Sequence, residues 1–366
     1  MLRTEEMQIN IGPHHPSTHG VFRVLLTIDG EIITKAEPVI GYLHRGTEKL
    51  AEDLQYTQII PYTDRMDYVS GMTNNYVFVH AVETLMGIEV PERAEYLRVL
   101  AMELNRIASH LVFWGTFLLD FGATTPYLVA FREREVVLNL LNELSGARMT
   151  FNYMRIGGVK WDAPPGWIEK VKEFVPYMRE QLKTYDELAT GNEIFQSRMK
   201  GVGTYTAEEA LQYSLSGPNL RCTGVEWDLR KNEPYSVYDR FDFDIVTEQS
   251  GDVWARYLVR TREIEQSLRI IEQAIEQMPK DGPIMAKVPR VIKPPKGEVY
   301  VRIESPKGEI GCYIYSEGKN KPYRVKFRRP SFYNLQILPK ILVGENISNL
   351  IPILAAVDII LGEVDG

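Results

Sequence analysis

AEYLRVLAMELNRIASHLVFWGTFLL, residues 94–119, is the stretch from which the fold class follows. Leu97, Leu100, Leu104, Ile107 and Leu111 recur at helical spacing, so a long helix is predicted, weakened towards its end by Gly115 and Gly122. Outward from it the chain stays helical. Residues 126–144 predict a second long helix, whose Arg132-Glu133-Arg134-Glu135 run reads as ion pairs on a helix face. Gly157-Gly158 and Pro164-Pro165-Gly166 mark a break, after which residues 167–188 and 251–278 are again amphipathic and helical. The ends differ. Residues 7–10 and 21–34 read as strands, with Asp29-Gly30 as a hairpin turn. Residues 280–298 are rich in proline and lysine and read as an extended connector. Glu298–Ile303, Cys312–Tyr315 and Tyr323–Phe327 then alternate like strands, before a last apolar helix over about Ile347–Ile360. The expected class is α+β, mostly helical, with β-rich N- and C-terminal parts around a helical core. Residues 1–70, 71–280 and 281–366 are expected as an N-terminal β-hairpin region, a helical core and a C-terminal α+β region of one integrated domain.

Composition narrows the function classes. Of 366 residues, 44% are hydrophobic and 25% charged, which is ordinary for a globular chain with a real core. The formal net charge of −7 argues against wholesale nucleic-acid binding. There is no charged-then-apolar leader. No apolar run reaches the roughly 18 residues that span a bilayer. The best candidate, Leu350 to Leu361, is short and contains Pro352 and Asp358. The two cysteines, Cys222 and Cys312, are far apart and form no Cys-x-x-Cys pair. That rules out a disulfide framework and a thiolate-built cluster or zinc site, and an intracellular, reducing location is expected.

Chemistry concentrates near the start. Gly12-Pro13-His14-His15-Pro16-Ser17-Thr18-His19-Gly20 places three of the six histidines on a loop stiffened by two prolines. A zinc site from His15, His19 and His44 is conceivable but lacks a supporting carboxylate or cysteine, so no metal is assigned. His80 and His110 lie in apolar helical stretches and read as core residues. Gly41 to Asp53 is a mixed-charge patch, most simply a solvated helix start. Tyr62-Thr63-Asp64-Arg65-Met66-Asp67-Tyr68 packs two tyrosines, two aspartates and an arginine into seven residues. A phenol beside an arginine can donate a proton, because the cation favours phenolate; Tyr68 as a packing residue is the plain alternative. Asp120 interrupts Phe117-Leu118-Leu119-Asp120-Phe121, and if buried it needs a partner, for which a histidine is natural.

Gly12 to Gly20, Leu43 to Glu52, Arg65-Met66-Asp67-Tyr68, Gly157-Gly158 and Glu304-Ser305-Pro306-Lys307-Gly308-Glu309-Ile310-Gly311 together resemble the 49-kilodalton, or D, subunits of respiratory complex I, the proton-pumping NADH–quinone oxidoreductase. The resemblance runs from about residue 3 to Gly362-Glu363-Val364-Asp365-Gly366. It implies a helical core like that of the nickel–iron hydrogenase large subunit. Without the two Cys-x-x-Cys pairs that hold nickel and iron, hydrogenase activity is excluded. It further implies a cavity at the interface with an iron–sulfur (B-type) subunit carrying a four-iron four-sulfur cluster, where a quinone is reduced. A C-type subunit and the membrane arm are the other partners, and the location is peripheral, on the cytoplasmic face of the cell membrane.

Residue by residue, the resemblance makes His19 and Tyr68 the groups that bond the two quinone carbonyls, and Asp120 the partner of His19. It sets Arg65 near the partner's cluster and makes His15, His44 and Asp358 candidates for coupling. This chain alone is expected to bind no cofactor. One departure matters. Many relatives carry a histidine after Arg148-Met149, and here Thr150 stands there. Threonine cannot titrate, so a low-potential cluster with little pH dependence is expected, suited to menaquinone. Two rivals share these motifs: the same core subunit fed by ferredoxin or a deazaflavin, and a non-catalytic scaffold.

Overall fold

A computed structural model describes residues 6–14 and 20–366. His15 and His19 lie outside the described residues, so the roles expected of them are carried below as proposals. The N-terminal sheet has three antiparallel strands, β1 (Glu6–Ile11), β2 (Arg23–Asp29) and β3 (Ile32–Val39). Val24, Leu26 and Ile28 of β2 alternate inward and are buried, the period-two pattern of a half-buried strand. Three helices follow, α1 (Thr47–Asp53), α2 (Tyr56–Thr63) and α3 (Gly71–Met86).

The opening stretch forms α4 (Glu92–Asp120), and Leu97, Leu100, Leu104, Ile107 and Leu111 are fully buried. The helix is buried on nearly every side, not on one stripe, because neighbours surround it. Gly115 does not weaken it. A Cβ there would lie 3.1 Å from Ala130 Cβ, so the glycine lets α5 (Thr124–Ser145) approach closely. α6 (Trp167–Tyr185) and a long helix, Val253–Gln277, complete the core. The C-terminal sheet pairs Lys296–Ser305, Gly308–Glu317 and Arg324–Arg328 antiparallel, with longer strands than the alternation alone suggests.

The end of the chain departs from expectation. The last apolar helix does not run from Ile347 to Ile360; it spans Leu350–Val357 and stops at Asp358, which takes a left-handed conformation (φ 58°). Aspartate tolerates that region better than most residues. The chain then turns back into a short hook, Leu361–Asp365, whose side chains are all buried.

The middle of the core is ionic. Arg221 donates from Nε and Nη2 to Glu263 (2.9 and 2.7 Å) and from Nη1 to Glu304 (2.7 Å). Arg230 bonds Asp228 and Glu103, and Glu103 also accepts from Tyr238 (2.6 Å) and Ser267 (2.7 Å). Buried charges persist only when paired in this way. His110 belongs to this network, with Nε2 3.0 Å from Glu263, and burial holds its ring below the usual histidine range. His80 stacks on Tyr76.

Candidate functional site

The hook gathers the motifs that the sequence scatters. Gly20 (φ 137°) packs so tightly on Leu361 that a Cβ would stand 2.7 Å from Leu361 Cδ1. Gly362 faces the Arg65–Met66 backbone, where a Cβ would lie 2.8 Å from the Met66 carbonyl oxygen. The Asp365 carboxylate accepts the Gly41 and Leu43 amides at 2.7 and 2.6 Å, and its carbonyl oxygen lies 2.7 Å from His44 Nδ1. Arg45 donates to the Arg65 carbonyl at 2.5 Å. Segments from the first fifth of the chain therefore meet on its last few residues.

Behind the hook lie buried charges. Lys307, in the turn between the first two C-terminal strands, is 2% exposed and reaches Asp358 at 3.1 Å. Arg260, from Val253–Gln277, approaches the same carboxylate at 3.4 Å. Asp67 is buried and accepts the Val69 amide (2.9 Å) and the Ser70 hydroxyl (2.5 Å). Glu363 accepts the Ser331 amide (3.0 Å) and its hydroxyl.

Tyr68 is 41% exposed, at the rim of this cluster. Partial burial first, and Asp67 second, hold its hydroxyl above the usual tyrosine range, against an opposing pull from Lys307. The neighbouring arginine is not what acts on it. The Arg65 guanidinium turns back to the Pro61 carbonyl at the end of α2. The net effect is therefore opposite to the one expected from sequence: the phenol keeps its proton, which is what a donor needs.

The other predicted residues are spread more widely. Asp120 is the last residue of α4 and is exposed, not buried, because the helix emerges at the surface there. A carboxylate at a helix C-terminus is opposed by the helix dipole. Thr150 has φ 54°, strained for a β-branched residue, in the turn after α5. Two residues on, the Asn152 amide donates to buried Asp64 (3.0 Å), whose carboxyl burial pushes up to about 7. His44 and Asp358 both touch the hook cluster. Among the described residues no group of three His, Cys, Asp or Glu is placed to hold a metal ion.

Four members of the cluster were not singled out from sequence: Lys307, Arg260, Glu363 and Asp365. Lys307, Glu363 and Asp365 stood inside quoted stretches, but nothing local marks a surface-type residue as buried. The mixed-charge patch also has a task beyond solvation. Glu48 and Glu52 of α1 bind Arg324, and Glu48 caps the Phe327 amide, fastening α1 to the C-terminal sheet. A separate cleft runs between α6 and the Val253–Gln277 helix, lined by ion-paired Arg179, Arg262 and Glu265.

Comparison with known proteins defines the class first. The family model described as "Respiratory-chain NADH dehydrogenase, 49 Kd subunit" matches residues 120–296 and 286–366, so the chain is of respiratory-chain dehydrogenase type. The D subunits of the NADH-quinone oxidoreductases of Bacillus mycoides (strain KBAB4) and Bacillus anthracis are each 75% identical to it over 366 residues, and that of Geobacillus kaustophilus (strain HTA426) is 76% identical; all of both chains is covered each time. The chain belongs to the family of the 49-kilodalton subunit of respiratory-chain NADH dehydrogenase. Among the described residues no helix is long and apolar enough to cross a membrane.

Proposed function

We propose that this chain forms the quinone site of a proton-translocating NADH–quinone oxidoreductase. His19 and Tyr68 donate to the two quinone oxygens, and Asp120 holds the His19 ring charged and oriented. The observation that carries this reading is the convergence on the hook: Gly20 (next to His19), His44 and Arg65 are built around residues 358–365, and Tyr68 feels the charge of Lys307, which pairs with Asp358. Reducing a quinone to a quinol takes two electrons and two protons. A four-iron four-sulfur cluster in the B-type partner would supply the electrons. This chain fits that division, since Cys222 and Cys312 are both buried and separate. Its own residues hold and move protons, and protons need donors within hydrogen-bond reach of each oxygen. Exposed Ile40 and Tyr42 of the loop before α1, Tyr62 at the end of α2 and Met149 in the turn after α5 suit a surface that the B-type partner covers. The C-type subunit and the membrane arm complete the assembly at the cytoplasmic face. The relatives' names favour NADH as the ultimate donor over ferredoxin or a deazaflavin.

In the assembled complex, His19→Ala is expected to lower quinone reductase turnover by about 10²-fold or more, the usual worth of a positioned proton donor. Identification of co-purified subunits and quinone accompanies the assay. Unchanged turnover would revive the scaffold reading.

Thr150 brings no titrating charge to its turn, so the partner cluster's midpoint is expected to vary little with pH, at a potential suited to menaquinone. Redox titration at several pH values checks this. A steep slope refutes it, and loss of that slope in Asp64→Asn would assign the titration to Asp64.

A further inference from the structure

The quinone-site reading gives no task to the proline- and lysine-rich connector. Residues 279–296, PKDGPIMAKVPRVIKPPK, carry five prolines, five cations and one carboxylate, Asp281, in a chain whose net charge is −7. The segment runs without helix from the end of Val253–Gln277 to the first C-terminal strand. Proline fixes φ and removes amide donors, so such a segment is stiff and offers few amides for strand pairing.

Its backbone is fastened along its length. Arg93 donates from Nη1 to the Pro279 and Lys280 carbonyls at 2.6 and 2.9 Å. The Val159 amide donates to the Ile284 carbonyl (3.1 Å), and the Ala286 amide to the Gly157 carbonyl (2.7 Å). Farther on, the Ser316 hydroxyl donates to the Pro294 carbonyl (3.1 Å), and Ile292 is buried. Gly157-Gly158 is the seat. A Cβ at Gly158 would overlap the Ile284 carbonyl oxygen, and one at Gly157 would lie 2.7 Å from Val288 Cγ1. The side chains do the opposite. Lys280, Lys287, Arg290, Lys293 and Lys296 are all exposed. Among the described residues none of the five makes a salt bridge, although Asp and Glu outnumber Lys and Arg by 49 to 42 in the chain. Four of them, Lys287, Arg290, Lys293 and Lys296, recur every third residue, with a bend at Arg290–Val291 dividing the row. In a polyproline chain that spacing returns each side chain to the same edge.

We propose that this strap is a docking surface for an acidic segment of another subunit of the oxidoreductase, whose carboxylates pair with Lys287, Arg290, Lys293 and Lys296. A merely solvated charge run needs no anchored backbone. Cations carried on a fixed backbone lose less freedom on pairing than cations on a mobile loop. Arg290 can take a carboxylate bidentately, and the lysines take one as point charges. Charges at set intervals select a partner by register, which an anionic membrane surface does not require. The strap also lacks the apolar face of a lipid-binding segment, since its large exposed apolar residues are only Met285 and Val291. The proposal concerns assembly, and it stands whether or not His19 and Tyr68 act on quinone.

The test is made on the native assembled complex and on one variant. Carbodiimide joins lysine amines directly to carboxylates paired with them. Cross-links are expected from Lys287, Lys293 or Lys296 to aspartates or glutamates of one neighbouring subunit, identified by mass spectrometry. The variant Lys287→Glu/Arg290→Glu/Lys293→Glu is expected to retain that neighbour roughly tenfold less well at about 0.15 M salt, with the deficit depending on ionic strength. A matched reversal on α6, Lys170→Glu/Lys172→Glu/Lys183→Glu, is expected to leave retention unchanged. Cross-links confined to this chain, cross-links between two copies of it, or equal retention in the strap variant and the native complex overturn the proposal. So does a strap variant that keeps its neighbours but loses binding to phosphatidylglycerol vesicles, which makes the strap a lipid contact instead. If the strap variant does not assemble, the cross-links of the native complex decide alone. Quinone turnover enters none of these readouts, so failure here leaves the quinone-site reading untouched, and loss of that reading leaves this one standing.

Discussion

Tyr68→Phe is expected to lower quinone reductase turnover of the assembled complex by about 10²–10⁴-fold, with a smaller change in apparent quinone affinity. Phenylalanine keeps the ring, so packing at the rim survives and one O–H is lost. A single hydrogen bond is worth about 0.5–1.5 kcal/mol in binding, up to roughly a tenfold change. The larger loss falls on the proton-transfer step, because no other hydroxyl replaces it. Burial and Asp67 keep the native phenol protonated across the physiological range, so Tyr68 itself adds no falling limb below about pH 10. NADH oxidation by an acceptor that takes electrons ahead of the quinone serves as the control and should be unchanged. Turnover within twofold of the native complex would remove Tyr68 from the reaction.

Arg221→Met is expected to destabilise the subunit by about 3–5 kcal/mol, enough to deplete it from the assembled complex. Arg221 is fully buried and answers Glu263 and Glu304 closely and Asp228 at 3.7 Å. Methionine fills much of the space but leaves Glu263 and Glu304 desolvated without their cation. The sign of the pH response should also change. In the native chain burial pushes Glu263 up, yet Arg221 and His110 outweigh it and hold the carboxyl well below the usual range. A depressed carboxyl stabilises the fold above its unfolded value and loses that contribution as pH falls. Without Arg221 burial dominates, so the variant should be less unstable in mild acid than at neutral pH. Arg302→Met is the comparison. Arg302 pairs with Glu233 where both side chains are about a third or more exposed, and such a pair contributes about 0–1 kcal/mol. Thermal unfolding of the purified complexes, followed by loss of this subunit, measures both. Equal effects of the two substitutions would mean that the buried network carries no special weight.

The helical core was legible because its signal is local. Leu97 to Leu111 announce a helix by spacing alone, and α4 is found where they place it. What spacing cannot convey is that α4 is enclosed on almost every side. Nor does it convey that Glu103 meets Arg230, or that His110, read as a core residue, meets Glu263, each more than a hundred residues away. The site was legible only as motifs. The Tyr68 segment stood out by composition, but the sequence pointed to Arg65 as its electrostatic partner, and the charges acting on it are Asp67 and Lys307 instead. Its apolar neighbours left the burial of Asp120 open, and it ends its helix at the surface. The break at Asp358 was hidden by a run of apolar residues that reads as one helix. The long-range misses share a cause: Lys307, Arg230 and Glu263 lie far along the chain from the groups they act on and leave no periodic trace.

The contact between Gly20 and Leu361 also sets an order of events during synthesis. Translation at about 5–20 residues per second separates the appearance of those two residues by tens of seconds. Until residue 361 emerges, the loops at 41–45 and 65–68 lack the surface on which they are seated. A nascent chain can fold its central helices while this region remains unassembled. A chain stalled or clipped before the hook would keep most of its core and have no organised site. That makes the hook a natural completion mark for any partner that binds these loops.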